Sequence, residues 1–455
     1  MLKKDMERPL HLLNKHFVLL WQSQALSLLG TQAYVIAMAF WIKRTFDSAT
    51  LMSLMPMLSS LPAVLLSPLG GVVADRYSRR TIIIVSNAVR GILILGLAGL
   101  AYFLPEHNTL LLICLLIVTI ISSAFSSFFI PAVTAIVPDL VPEAQVARAN
   151  FLIQGANQLA TLFGQGLGGL LFRVLGAPFI ILANALSFLL AALCQCFIAI
   201  PQPALKPESG EARLKQFQED LREGWHYIWN EAGLKRVTIT STLISFFFAG
   251  VLTLAPAYVD DFLKVRADWV GYLAVSSGIG TFLGFVLAGA FRLSGKTRAG
   301  ATILFIALNA LGVALLGVLI NQYAALVILF GCGVSCGFIA VSINTIIQVA
   351  TPREMRGRIF GLLATASGAM APLGMGLAGI ITDLLDRNVP LVYLISGFMM
   401  LLLLLLIATS REARAFLASQ PKEGAAEKPA ETGEPDEDQA ALTQPVLLRS
   451  SESEL

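Results

Sequence analysis

The residues best placed to do chemistry in this chain sit in one short run, Gly71-Val72-Val73-Ala74-Asp75-Arg76-Tyr77-Ser78-Arg79-Arg80. A carboxylate and three guanidinium groups share a single tight turn. Gly71 stands four residues before Asp75 on the same helix face, and its missing side chain permits a second helix to approach closely. Asp75 can then accept hydrogen bonds from that helix's N-terminus, where free amides and the helix dipole favour negative charge. The candidate partner is the helix start around Gly357 and Arg358. Such a contact forms and breaks between two arrangements of the chain; it makes no covalent bond. The plainer alternative is that Arg76, Arg79 and Arg80 only fix membrane topology.

Ionisable groups deep in apolar stretches are costly and are functional suspects. Arg90 is the one basic residue so placed, about 13 Å along its helix at a rise of 1.5 Å per residue. It can bind an anionic ligand, pair structurally or snorkel. No Asp or Glu lies comparably deep. Asp75, Asp260 and Asp261 are the candidates for a proton-linked group, with simple solvation in a loop as the alternative for the latter two. Cys114, Cys194, Cys196, Cys332 and Cys336 all fall in apolar stretches, while His11, His16, His107 and His226 fall outside them. The cysteines therefore read as small apolar residues, and no metal site or cofactor is expected. No nucleophile–base pair and no Gly-x-x-x-x-Gly-Lys-Ser/Thr run occurs, which argues against an enzyme and against a nucleotide-driven pump.

The elements that must position these residues follow from composition. Hydrophobic residues make up 56% of the 455 and charged residues 13%, with a mean hydropathy of +0.75. A soluble chain carries about 25% charged residues, so most of this surface must face lipid. Twelve apolar stretches, many near the ~20 residues that span a bilayer, run over 17–42, 51–74, 81–103, 109–130, 151–172, 178–200, 237–259, 270–291, 300–320, 324–348, 359–382 and 391–409. The first is too long for a secretory signal and lacks a small-residue cleavage site. Placing both termini in the cytoplasm puts 25 of the 32 Lys and Arg inside and 6 outside, as the positive-inside rule requires. The expected organisation is a cytoplasmic N-terminus (1–16), a six-helix bundle (17–200), a cytoplasmic linker (201–236), a second six-helix bundle (237–410) and a disordered acidic cytoplasmic tail (411–455). In the linker, Leu214, Phe217, Leu221, Trp225 and Ile228 recur at helical spacing. They predict an amphipathic helix that lies on the membrane surface or packs between the halves.

An offset of about 210 residues superposes Pro142 on Pro352, Arg148 on Arg358, and Gly164, Gly166 and Gly169 on Gly374, Gly376 and Gly379. Parallel six-helix repeats imply a pseudo-two-fold axis along the membrane normal, with a substrate site between the halves.

The 71–80 run resembles the loop between helices two and three of the major facilitator superfamily, with Ser78 where a second glycine is usual. Pro352-Arg353-Glu354-Met355-Arg356-Gly357-Arg358 and Val137-Pro138-Asp139-Leu140-Val141-Pro142 resemble its bacterial macrolide-efflux and enterobactin-exporter branch. The resemblance covers 15–410. It implies an all-α membrane protein of twelve transmembrane helices in two pseudo-symmetric bundles. It further implies a rocker-switch transporter in the plasma membrane, the bacterial inner membrane, that exports amphiphilic compounds in exchange for protons. Gly164-Gln165-Gly166-Leu167-Gly168-Gly169 resembles the superfamily's antiporter signature with Gln165 in place of a proline; otherwise Gly164, Gly168 and Gly169 are ordinary packing glycines.

The same arrangement would line the cavity with spans one, four, seven and ten. Gln24, Ser27, Thr31 and Tyr34 form a polar stripe on span one, Ser122 and Ser126 lie on span four, Phe246, Phe247 and Tyr258 on span seven, and Ser342 and Asn344 on span ten. This mixture suits an uncharged or amphiphilic ligand, although the polar groups could simply bond helix to helix. The expected partners are the bilayer, a small-molecule substrate and protons, with no nucleic acid, in a monomer. A lysophospholipid or other lipid transporter is the alternative function, and a non-transporting membrane scaffold a more distant one.

Overall fold

A backbone in lipid must satisfy its own hydrogen bonds, which makes each long apolar run a helix. The computed structural model describes residues 12–142, 145–199, 219, 222–291 and 293–419, and among these it contains no strand. The helices are α1 (Lys15–Phe46), α2 (Ala49–Arg76), α3 (Arg79–Phe103), α4 (Asn108–Leu140), α5 (Val146–Cys196), α6 (222–230), α7 (Ala232–Thr253), a single turn α8 (Ala255–Ala257), α9 (Asp268–Ala290), α10 (Gly295–Leu316), α11 (Gln322–Ala350), α12 (Arg353–Leu384), α13 (Val389–Thr409) and α14 (Arg411–Leu417). Eleven are long and apolar enough to cross a membrane. The 51-residue α5 is two crossings, because Gly176 breaks it at φ 76°. Only glycine takes that left-handed conformation without strain, and Pro178 two residues later cannot restore the lost hydrogen bond. Twelve crossings result, as the sequence predicts.

The repeat is visible as paired glycine contacts. Gly164 packs on the Leu29 carbonyl of α1, and its mate Gly374 on the Phe246 carbonyl of α7. Gly166 meets Val275 of α9, and Gly376 meets Met57 of α2. Gly169 meets the Ala267 carbonyl at the start of α9, and Gly379 the Ala49 carbonyl at the start of α2. Each half thus uses the same three glycines, in the same order, first to pack within itself and then to cross to the other half. Gly168 packs on Ile36 and the Ala33 carbonyl of α1.

Two boundaries differ from expectation. The chain from 411 does not begin as a disordered tail: α14 buries Ala413, Phe416 and Leu417. Ser410 caps it through the Ala413 amide, the buried residues recur at helical spacing, and Glu412 pairs with Arg236 at 3.0 Å. The second bundle starts at Ala232, five residues before 237. Of the linker, 201–218, 220 and 221 lie outside the described residues, and so does the tail from 420. The described part, α6, packs on the second half. Ile228 is buried with Leu234, Ile347, Ile359 and Phe416, and Glu223 pairs with Arg358.

The apolar core divides unevenly. One cluster joins both halves where α1 ends and α2 begins, uniting Phe40, Met52 and Phe188 with Tyr258, Val270 and Tyr393. Toward the Asp75 end it gives way to two separate clusters, one in each half.

Candidate functional site

At the joined end the halves are clasped by charge. Lys43, only 4% exposed, lies 2.9 Å from Asp47 of its own half and 2.9 Å from Asp261 of the other. Arg44 reaches Asp260 at 4.0 Å, and Arg387 pairs with Asp47. Asp383, at the end of α12, accepts hydrogen bonds from Ser48 Oγ (2.7 Å) and from the Ala49 and Thr50 amides (2.9 Å each). It therefore caps α2 from across the interface, where the helix dipole favours an anion. By the repeat offset its mate is Arg173, which meets Asp268 at the start of α9 at 3.4 Å. The two clasps occupy equivalent places with opposite charge. Hydrogen bonding from Lys43, with help from Arg387, holds the Asp47 carboxyl below its usual range.

Asp260 and Asp261 owe their position to Pro256. It has no amide to continue the α7 ladder, and the chain closes a wider turn over Tyr258–Phe262, with Leu263 N–H bonding the Tyr258 carbonyl. The wide turn brings both carboxylates to α1. They are not solvated loop residues; each faces a cation of the opposite half.

At the other end the halves part. A methyl group built on Gly368 would stand 3.5 Å from Val64, while Gly155 and Gly361, nearer that end, face open space. The side chains of Asp75 and Arg76, and the surroundings of Gly71 and Gly357, lie outside the described set. The described members of the expected latch bond within their own halves. Arg79 donates to Asp139 (2.8 Å) and the Ala135 carbonyl (2.9 Å), Arg80 donates to the Cys196 carbonyl (2.5 Å), and Arg358 donates to Glu223.

The expected cavity residues separate into groups. Gln24, Ser27, Tyr34, Tyr258 and Ser342 are buried. Tyr258 lines no cavity: it stacks on Tyr393 at 4.9 Å beneath the clasp, because the halves are closed there. Thr31, Ser122, Ser126, Phe246 and Phe247 are half-buried, and Asn344 is exposed. Thr31 and Ser27 bond to carbonyls of their own helix, while Gln24 Oε1 and Ser122 Oγ lack a hydrogen-bond partner. An opening of about 230 Å³ is lined by Thr238, Ser241 and Thr242 of α7, Asn344 of α11, and Phe360 and Ser367 of α12, with aliphatic neighbours. Its α7 hydroxyls, Thr238, Ser241 and Thr242, recur at i, i+3, i+4 spacing, a sequence signal for a shared face that the expected cavity residues do not include. A larger hollow of about 790 Å³ lies beside α6, with Met355 on its wall.

Arg90 does not snorkel. Its guanidinium carbon sits 4.1 Å from the ring centre of Phe188, itself 2% exposed, on the second arm of α5.

Two six-helix halves, gripped at one end and parted at the other, with a mostly apolar opening among α7, α11 and α12 of the second, define a membrane transporter rather than an enzyme. The chain belongs to the Major Facilitator Superfamily, whose family model matches residues 20–375. It is 24% identical over 377 residues to macrolide efflux protein A of Streptococcus pyogenes, covering 82% of this chain and 90% of that one. It is 25% identical over 365 residues to the multidrug efflux pump Tap of Mycobacterium tuberculosis, covering 78% and 84%, and 25% identical over 436 residues to the MFS-type transporter YfiS of Bacillus subtilis, covering 92% and 100%. These relatives accord with the macrolide-efflux branch. In fold it resembles the nucleoside transporter NupG (TM-score 0.66, 15% identity, 86% of this chain and 98% of that one). It is equally like a bacterial homologue of the iron transporter ferroportin in an inward-facing state (TM-score 0.68, 15% identity, 86% and 98%).

Proposed function

We propose that this chain exports hydrophobic or amphiphilic small molecules from the bacterial cytoplasm in exchange for protons, by rocking its two halves about the bound substrate. One observation carries the reading: the clasps between the halves lie at one end, and the core divides at the other. The excess of Lys and Arg on the side of the termini supports a cytoplasmic position for the parted end, so that the opening would receive molecules from inside. A cavity of aliphatic side chains with a few hydroxyls and an amide suits an uncharged or amphiphilic guest. The efflux relatives point the same way.

Proton coupling needs carboxylates whose surroundings change between states. Asp260 and Asp261 meet that need, because each faces a cation across an interface that must open. Asp75 is the third candidate, as the anion that would grip α12 near Gly357 once the cytoplasmic end closes. The chain would work as a monomer, since it carries both halves itself. Reconstituted protein with an imposed pH gradient tests the proposal. Accumulation of a dye or macrolide against its gradient is expected, abolished by a protonophore and reduced in Asp75→Asn. Gradient-independent movement of labelled lipid would instead support a lipid transporter.

A further inference from the structure

Arg90 is a half-buried cation, midway along a spanning helix, without a counter-ion among the described residues. It lies eleven residues from the start of α3 and thirteen from its end, too far for its side chain to reach either membrane surface. Residues on the same face (Ile83, Asn87, Ile94, Leu97 and Ala101) are buried, so the guanidinium points into the first bundle. No carboxylate is available there. The only acidic residues in the spanning helices of that half are Asp75 and Asp139, both in terminal turns, and Asp139 is held by Arg79. Among the described residues the contact of Arg90 is the Phe188 ring, and its Nε has no hydrogen-bond partner.

A cation–π contact returns about 2 kcal/mol when desolvated, against several for removing a charge from water. Native buried polar groups are nearly always paired, yet here the neighbouring turns carry more unpaired ones. Asn87, three residues before Arg90, leaves its Oδ1 unpartnered, and so does Asn184, four residues before Phe188; both are acceptors, so the donor for an anion is the Arg90 guanidinium. Arg90 itself keeps partial exposure on an otherwise buried face, so its guanidinium is not fully enclosed by protein.

We infer that Arg90, over Phe188, is the binding site for the anionic group of an amphiphile: a phosphate, sulfate or carboxylate on an alkyl chain. The guanidinium fork matches such groups with paired hydrogen bonds, and the aliphatic surroundings receive the chain. This inference narrows the proposed export of amphiphiles to those carrying negative charge and rests on that reading for its access route. The same chemistry is offered by a lipid headgroup and by a free amphiphile.

Equilibrium binding to the purified full chain tests it without any gradient, so it can fail while export stands, and the reverse. Decyl phosphate, decyltrimethylammonium and decyl maltoside, below their micellar concentrations, are titrated into protein in phosphatidylcholine nanodiscs. Decyl phosphate is expected to bind tightest, to weaken about 10- to 100-fold in Arg90→Gln and to be partly restored in Arg90→Lys. The ligand-free Arg90→Gln protein should melt no lower than the wild type, because an uncompensated charge has gone. A purely structural Arg90 predicts the opposite pair of results: a lower melting temperature and unchanged phosphate binding. Equal or tighter binding of decyltrimethylammonium to the wild type would overturn the inference even if the variants fail to fold. Repeating the titration with phosphatidylglycerol in the discs separates the sources, since competition assigns the site to lipid and its absence to free amphiphile, either result keeping the site anionic.

Discussion

Asp383 of the second half caps the helix that Ser48 begins in the first, its carboxylate accepting from the Ser48 hydroxyl at 2.7 Å and from the next two backbone amides. A helix cap ordinarily comes from the residue at the helix's own start. Here Ser48 also provides that cap, through Leu51 N–H, and Asp383 adds a second acceptor from a body that must move away. The stability of the clasped arrangement is thereby tied to the N-terminus of α2.

Asp383→Asn keeps the size but removes the charge and one acceptor, so it should favour the unclasped arrangement. Loss of a cap costs about 0.5–2 kcal/mol, which corresponds to roughly a 2- to 30-fold shift in the ratio of the two arrangements. Spin labels at Glu106 and Ile320, both exposed at the clasped end of opposite halves, would report it as a larger population of long distances. An unchanged distance distribution would show that the cap contributes nothing to the balance.

The glycine pairs make a sharper prediction, because their contacts have no room to give. A methyl group on Gly379 would stand 2.6 Å from the Ala49 carbonyl, and one on Gly169 would stand 2.5 Å from the Ala267 carbonyl. Both neighbours are backbone. Gly379→Ala and Gly169→Ala should each cost the clasped arrangement about 1–3 kcal/mol and lower transport, while Gly155→Ala and Gly361→Ala, which face open space, should leave transport near wild type. Transport assays on the four variants at matched membrane expression check this. Equal losses at all four positions would mean that helix propensity rather than helix contact governs them.

The glycine register shows what the sequence made legible. An offset of 210 residues pairs Gly164, Gly166 and Gly169 with Gly374, Gly376 and Gly379 in sequence alone, and each pair touches the matching helix. Glycine spacing reports helix packing because the requirement is local: no side chain, hence close approach. The clasps were not legible in the same way. Lys43, Asp47, Asp261, Asp383 and Arg387 are scattered over more than 300 residues, and each alone looks like a charge at a membrane surface. Asp75 stands out in the sequence because its arginines are neighbours in the chain, whereas the partners of Asp383 are neighbours only after folding. Tyr258 reads as a cavity residue for a related reason, since whether a residue lines a cavity depends on which end of the molecule is closed.

Acid should loosen the clasp. The Asp47 carboxyl is held below its usual range chiefly by hydrogen bonding from Lys43, so the clasped arrangement binds fewer protons there than the open one. Its contribution is fully present above the ordinary carboxylate value of about 4 and is lost as the pH falls through the depressed clasped-state value. The label distances at Glu106 and Ile320 should therefore lengthen as the outer face is taken from pH 7 toward 3. Asp47 is 56% exposed, so the change should be modest and smaller at high salt. Asp47→Asn should remove its share of the response, and an identical profile in that variant would assign the acid sensitivity elsewhere.

The last prediction concerns the opening between α7, α11 and α12. Thr238 stands a turn before Ser241 and Thr242 in the hydroxyl stripe of α7, and Asn344 of α11 is the one amide that lines the same opening. Asn344 Nδ2 donates to the Ala340 carbonyl at 2.7 Å, which leaves its oxygen for a guest. Asn344→Ala removes that acceptor without filling the opening, so substrates with a hydroxyl or amine donor should bind about 5- to 10-fold more weakly, the worth of one ordinary hydrogen bond, and substrates without a donor should be unaffected. Ser241→Leu fills the space, and should weaken both kinds in proportion to their size. Concentration dependence of transport for a donor-bearing and a donor-free substrate of similar volume distinguishes the cases. If Asn344→Ala weakens both equally, the amide orders α11 rather than meeting the guest, and the polar stripe serves helix packing alone.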